Sequence, residues 1–166
     1  GELPDAFDVQ ELMKKGKPDL RQQNCGDCWA WATHHGLELA RAVHDQEVFD
    51  HSVQTVVSCS KHGSCGGGYM SAPTWLVGRG LPMEEEFSYK GNDAKCKFSS
   101  AELAKGWTGS IYAAPNVGKS LRYSRYFKKR GYREGTKVQE IMAAILQAKA
   151  PVVVTVAAYS MSGPRI

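Results

Sequence analysis

The placement of five cysteines constrains this 166-residue chain more than any other sequence feature. An odd number leaves at least one thiol free if the others pair as disulfides. Two of them, Cys25 and Cys28, stand immediately before a segment whose small and apolar residues recur with the period of a helix. The members of this stripe are Trp29, Ala32, Gly36, Leu39 and Val43. The sequence therefore predicts a helix that begins at Cys28, with Asp27 at its N-cap.

The spacing of Cys25 and Cys28 is compatible with three kinds of site. A thioredoxin-type redox pair would follow the strand of a βαβ unit, and no such strand pattern precedes Cys25. A zinc site would need Cys59 and Cys65 as further ligands, and their spacing fits zinc ribbons poorly. In the third interpretation Cys25 forms a disulfide and Cys28 is a free nucleophile, because the dipole and unpaired N–H groups of a helix N-terminus favour a thiolate. The residues favour the third interpretation and leave the other two open.

The remaining elements indicate an α+β protein. Short helices are predicted over residues 52–58 and 71–78. A second long helix begins at Thr136, where Gln139 completes a capping box. The β-branched run at 152–156 predicts a buried strand. Helices and loops thus dominate the first two thirds of the chain, and β-structure begins only near its end.

The segment QQNCGDCWAW, residues 22–31, resembles the active-site segment of papain-like cysteine proteases. Other landmarks follow in the family's order at residues 52–59, 64–69, 86–89, 96 and 150–154. The start at residues 3–5 is similar to the usual mature N-terminus after propeptide removal, so a zymogen precursor is expected. The resemblance implies a papain-like two-subdomain fold over 1–166 that is C-terminally incomplete. Its mainly helical left subdomain is expected at 8–110, and the start of its β-rich right subdomain at 111–166.

The same resemblance implies roles for individual residues. Cys28 is the expected nucleophile of a cysteine peptidase, and the Gln22 side chain is expected to stabilise the oxyanion together with the Cys28 N–H. The implied disulfides are Cys25–Cys65 and Cys59–Cys96. The implied substrate-binding residues are Gly26, Gly67, Gly68, Tyr69, Met70 and Thr155. The last three suggest a preference for an apolar side chain at the P2 position of the substrate.

The sequence departs from the family's pattern at two places. A serine or alanine usually stands where this chain has Asp27, whose charge beside Cys28 disfavours a thiolate. The family's general base is a histidine roughly 130 to 150 residues after the cysteine, and residues 158–166 contain none. His34 and His35 are predicted to be packed or solvated residues of the first helix. We therefore expect a His base, with its orienting asparagine, from a segment or companion C-terminal chain outside this sequence; the alternative is a catalytically inactive, protease-derived module or fragment that binds peptides.

Composition narrows the expected partners. A net charge of +4 is too small to indicate nucleic acid, and the basic stretch 105–137 is broken by glycines, which favours a solvated loop. No apolar run approaches the length of a membrane span, so no membrane partner is expected. The expected partners are a peptide or protein substrate, the companion chain, and a propeptide or protein inhibitor. No metal or organic cofactor is implied, and the disulfides suggest a secreted, periplasmic or lysosome-like location.

Overall fold

The computed structural model describes residues 4–16, 25–69, 71–76 and 79–107, together with residues 142, 143, 145, 146 and 149. Several predictions lie outside these residues: Gln22, Met70, Thr155, the capping box at Thr136, the strand at 152–156 and nearly all of the right subdomain. Residues 142, 143, 145 and 146 are helical, in agreement with the predicted second long helix.

Helix α1, Cys28–His44, is the central element of the described part and begins where the sequence predicts. Its 17 residues bury the two indole rings of Trp29 and Trp31 in the main core, together with Leu37. Arg41 and His44 lie in the last turn, where positive charge interacts favourably with the helix dipole. Buried residues extend from Trp29 in the first turn to Val43 in the last, so tertiary packing stabilises the helix along its whole length.

Two short helices pack near α1, as the sequence predicts. Helix α2, Val53–Cys59, is capped by Ser52, whose hydroxyl oxygen accepts a hydrogen bond from the Thr55 N–H at 3.1 Å. Helix α3 spans Ala72–Leu76. Val53, Val56, Val57, Ala72 and Leu76 complete the core around the α1 tryptophans, together with Leu81.

Helix α4, Ser100–Lys105, is an element that the sequence analysis missed. Ser99 caps it, and the Glu102 side chain accepts from the Ser99 N–H at 2.8 Å, which completes a capping box. Short 3₁₀ helices lie at Val9–Leu12 and Glu84–Glu86. The serine and glutamate three residues apart were the available sequence signal, but the helix has no fully buried residue and so leaves no apolar stripe.

Strands β1, Gly63–Ser64, and β2, Gly67–Gly68, form a small antiparallel hairpin against the start of α1. The Trp29 indole N–H donates to the Ser64 carbonyl at 3.0 Å. The Trp29 ring also lies so close to Gly68 that a Cβ there would stand 2.3 Å from it. Glycine is therefore required at this point of the hairpin by packing.

Two disulfides are present: Cys25–Cys65 joins the segment before α1 to the hairpin, and Cys59–Cys96 joins the end of α2 to a later loop. Each pair has a Cα–Cα distance of 5.0 Å. These are the two pairs that the resemblance implied. They close segments with sequence separations of 40 and 37 residues. None of the helices in the described part of the chain has the length and apolarity required to span a bilayer.

Candidate active site

Cys28 is the first residue of α1, and its thiol is free and exposed. The other four cysteines are bonded in pairs. The structure therefore does not join Cys25 and Cys28 as a redox pair, and it does not leave Cys59 and Cys65 free to bind zinc. The arrangement is that of the third interpretation: one free thiol at the N-terminus of a helix, and four cysteines in disulfides.

The segment that leads into Cys28 is held rigidly on the hairpin. The Gly26 N–H donates to the Cys65 carbonyl at 2.8 Å, alongside the Cys25–Cys65 disulfide. A Cβ on Gly26 would lie 2.4 Å from that carbonyl oxygen. Gly26 thus allows the close approach of two backbones, and one hydrogen bond and one covalent bond set the position of the thiol two residues later.

Asp27 is fully buried, although it stands next to the exposed Cys28. Its side chain does not cap α1; the Asp27 Oδ2 atom instead accepts a hydrogen bond from the Tyr89 hydroxyl at 2.8 Å. Only its carbonyl serves the helix, accepting from the N–H groups of Ala30 and Trp31 at 2.8 and 3.1 Å. Burial raises the pKa of Asp27, and the hydrogen bonds that it receives, the one from Tyr89 foremost, oppose that rise.

The predicted substrate-binding residues that the structure describes lie on and beside β2. Gly67 and Gly68 are both exposed, and a Cβ on Gly67 would meet open space. Gly67 has a φ of +130°, a backbone conformation that favours glycine. Tyr69 follows directly and is 72% exposed. The exposed backbone of β2 thus lies against the first turn of α1, where Trp29 packs on Gly68.

A buried polar cluster between α1 and the start of α2 is the feature that the sequence analysis missed. It consists of His34, Glu38, Arg41 and His51. The Glu38 Oε1 atom accepts from the His51 N–H at 2.9 Å and lies 3.1 Å from the His34 Nε2 atom. The Arg41 Nη1 atom lies 2.9 Å from the His51 Nε2 atom. The spacing of residues 34, 38 and 41 on one helix face was the available signal, but their partner lies beyond the helix.

His34, His35 and Glu38 place one potential metal-ligand atom each within 4.8 Å of one another. The two buried members of this group, His34 and Glu38, already contact the backbone of His51. The His34 Nε2 atom lies 2.5 Å from the His51 carbonyl, and Glu38 accepts from the His51 N–H. The group therefore fits a structural role, in which it fixes the segment that precedes α2.

A family model described as "Papain family cysteine protease" matches residues 3–163. The chain belongs to the papain family of cysteine proteases. The described helices and hairpin are accordingly part of the papain-like α+β fold that the sequence predicted. Within this family, the described site places the free Cys28 in the segment whose resemblance first indicated a nucleophile.

Individual papain-family relatives agree with this assignment. Human cathepsin L2 (Homo sapiens) is 31% identical over 127 residues, which cover 72% of this chain and 37% of that protein. Digestive cysteine proteinase 3 of Homarus americanus is 30% identical over 99 residues, or 57% of this chain and 31% of the relative. The chain spans about a third or less of the length of the curated relatives it matches.

Solved structures show the same fold. Bromelain from Ananas comosus, determined with the inhibitor E64, superposes with a TM-score of 0.53 at 19% identity. The superposition covers 68% of this chain and 50% of bromelain. At this level of identity the likeness concerns the papain-like fold alone.

Proposed function

We propose that this papain-family chain hydrolyses peptide bonds by thiol chemistry, with Cys28 as the nucleophile. The observation that carries the proposal is the exposed, unbonded thiol at the first position of α1, in a chain whose other cysteines form disulfides. A thiolate at this position benefits from the positive end of the helix dipole. The disulfide at Cys25 and the hydrogen bond of Gly26 hold it in place, which lowers the entropic cost of reaction.

In the proposed reaction, a general base takes the proton of the Cys28 thiol, the sulfur attacks the scissile carbonyl carbon, and the carbonyl π electrons move to oxygen. The Cys28 N–H and the Gln22 side chain donate to this oxyanion; each such donor is worth roughly 10² to 10³ in rate. The tetrahedral intermediate collapses and the amine leaves with a proton from the base. Water then gives a proton to the base and attacks the thioester, the carbon–sulfur bond breaks to release the acid product, and the base returns the proton to the Cys28 sulfur.

We propose that the general base is a histidine outside these 166 residues. The contacts of the described histidines support this view. His34 and His51 are buried in the polar cluster, and the His62 Nδ1 atom lies 2.9 Å from the Ser71 hydroxyl. His34 is six residues beyond Cys28, which corresponds to about 9 Å along the helix axis and is too far for a hydrogen bond to the thiol. A companion chain or segment is the proposed source of the base and its orienting asparagine.

The proposed substrate is an extended peptide that pairs with the exposed edge of β2. Gly67 and Gly68 leave its backbone accessible, and Tyr69 is exposed beside it. With Met70 and Thr155, Tyr69 is proposed to contact an apolar P2 side chain. Peptides with leucine or phenylalanine at P2 should therefore be cleaved faster than otherwise identical peptides with aspartate at that position.

The proposed location is an oxidising compartment: secreted, periplasmic or lysosome-like. The two disulfides support it, because such bonds persist where thiols are not kept reduced. A propeptide or a protein inhibitor that occupies the same cleft is proposed as a further partner.

The test measures covalent labelling of Cys28, hydrolysis of a peptide substrate, and the number of polypeptides in the native preparation. Native protein is treated with an epoxide inhibitor and analysed by intact mass without reduction, and hydrolysis of a fluorogenic peptide is followed in parallel. We expect covalent labelling at Cys28 and loss of hydrolysis in Cys28→Ser. Exposed Ser100, on α4, gives a matched control, and Ser100→Ala should keep both. Peptide binding without labelling or hydrolysis would instead support the inactive binding module, and a second polypeptide in the native preparation would support the companion chain.

A further inference from the structure

The residue before the proposed nucleophile, Asp27, is at the N-cap of α1, but its carboxylate does not cap the helix. Asp27 is fully buried, and its side chain makes no capping bond to the first turn of α1. A serine or an asparagine would cap the helix better without carrying a charge into the core. The carboxylate is held instead by the Tyr89 hydroxyl, from a loop 62 residues away in the sequence.

Tyr89 is itself fixed in position. Its ring packs edge-on against Trp31, with 5.1 Å between ring centroids, and it lines the main core. The hydrogen bond to Asp27 is thus made by a donor that packing holds still. The Asp27 carboxylate consequently has a defined place one residue before the exposed thiol of Cys28.

A negative charge at this place opposes the helix dipole, which otherwise favours a thiolate at Cys28. When Asp27 is neutral this opposition disappears. We propose that Asp27 is a positioning residue that acts on Cys28 through its charge, restraining the nucleophile at neutral pH and releasing it in acid, with Tyr89 holding the carboxylate in place. The inference rests on the proposed function of Cys28 and names a regulation of the same site.

The groups around Asp27 are consistent with such titration. Burial raises the pKa of Asp27, hydrogen bonds from Tyr89 and Trp31 lower it, and the nearby charge of Asp93 raises it. Asp93 is itself engaged, since it accepts a hydrogen bond from the Cys65 N–H at 2.6 Å. Among the residues that the structure describes, the ionisable side chains that act on the carboxylate are Tyr89 and Asp93. Cys28 follows Asp27 directly along the chain.

The test is the pH profile of thiol alkylation by iodoacetamide, an uncharged probe, on the full chain between pH 4 and 8. Because the other cysteines are in disulfides, the folded protein reports Cys28 alone. Asp27→Asn keeps an oxygen that can accept from Tyr89 and removes the charge. We expect it to react about threefold to tenfold faster than the wild type near neutral pH, the effect of one charge across partly solvated protein. That ratio should fall to one as the pH falls and Asp27 of the wild type becomes neutral.

Exposed Glu47 provides the charge-matched control, and Glu47→Gln should follow the wild-type rate at every pH. If Asp27→Asn does not fold, Tyr89→Phe tests the same idea. Loss of the hydroxyl makes Asp27 neutral at a higher pH, so this variant should react faster than the wild type only in the pH range where Asp27 titrates. A ratio that stays constant with pH, or equals one throughout, would overturn the inference while peptide hydrolysis continues. A Cys28 that neither reacts with the epoxide nor supports hydrolysis would overturn the proposed function, and the inference with it.

Discussion

The indole ring of Trp29 occupies the space that a side chain on Gly68 would need, with its atoms 2.3 to 2.5 Å from the Cβ position. One residue after the candidate nucleophile, the helix thus supports the strand that is proposed to bind substrate. Any displacement of this hairpin also moves the Cys65 carbonyl and the disulfide that hold the segment before Cys28. The position of the Cys28 thiol therefore depends on the position of the hairpin.

Gly68→Ala should show whether glycine is needed here because Trp29 leaves no room for a side chain or because the hairpin needs a flexible residue. The added methyl group must displace Trp29 or the hairpin, so we expect a loss of about 1 to 3 kcal/mol in the free energy of unfolding, measured in urea. Gly66→Ala is the control, because a Cβ there would lie 3.4 Å from the Ser64 hydroxyl oxygen and can be accommodated by a small shift. Equal stability of the two variants would contradict the close packing of Trp29 on Gly68.

The two disulfides should have similar effects on stability and different effects on the thiol. In the chain-entropy model, closure of segments of this length stabilises the native state by about 4 kcal/mol for each bond. The double alanine variants of Cys25/Cys65 and of Cys59/Cys96 should lose comparable stability in urea. Only the Cys25/Cys65 variant should also change the alkylation rate of Cys28, because only that bond anchors the segment leading into α1. Equal alkylation rates in the two variants would show that the anchor does not position the thiol.

Stability should fall in acid because of His51. Burial, with the nearby positive charge of Arg41 and the neighbouring His34, lowers the pKa of His51 to about 4. In the unfolded chain an imidazole titrates near 6.5, so between these values the unfolded state binds a proton that the native state does not. Above pH 6.5 the His51 imidazole is neutral in both the native and the unfolded state, and it does not reduce stability. As the pH falls from 6.5 towards 4, the free energy of unfolding should fall by up to about 1.4 kcal/mol per pH unit.

The measurement is urea denaturation at several pH values between 7 and 4. His51→Gln can still accept from Arg41 but does not titrate, and it should show a shallower fall than the wild type. A change at exposed His44, as in His44→Gln, should leave the steep fall in place. Parallel curves for the wild type and His51→Gln would refute the assignment to His51.

Glu38 should be important for stability because it joins α1 to the segment before α2. Glu38→Ala leaves the buried His51 N–H without its acceptor, and we expect a loss of about 1 to 3 kcal/mol in the free energy of unfolding. Glu38→Gln retains an oxygen that can accept from the His51 N–H and should lose less. Thermal and urea denaturation of both variants would measure the difference, and an alanine variant as stable as the glutamine variant would exclude the role.

The positions of α1 and α2 could be predicted because their signals are local. A stripe of apolar residues follows Cys28, and a serine precedes Val53 at the N-cap, so neighbours in the sequence determine both starts. The odd number of cysteines likewise indicated one free thiol. Helix α4 was missed because a single capping box without an apolar stripe is a weak signal.

The sequence by itself determined that a free cysteine would stand at the start of a helix, because helix periodicity, capping and cysteine parity are properties of adjacent residues. Only the tertiary structure decided what surrounds that cysteine. Tyr89 holds Asp27 from 62 residues away, Glu38 binds the backbone of His51, and Trp29 excludes a side chain at Gly68. Each of these contacts joins residues on different elements, and their chemistry depends on burial, which no local pattern specifies.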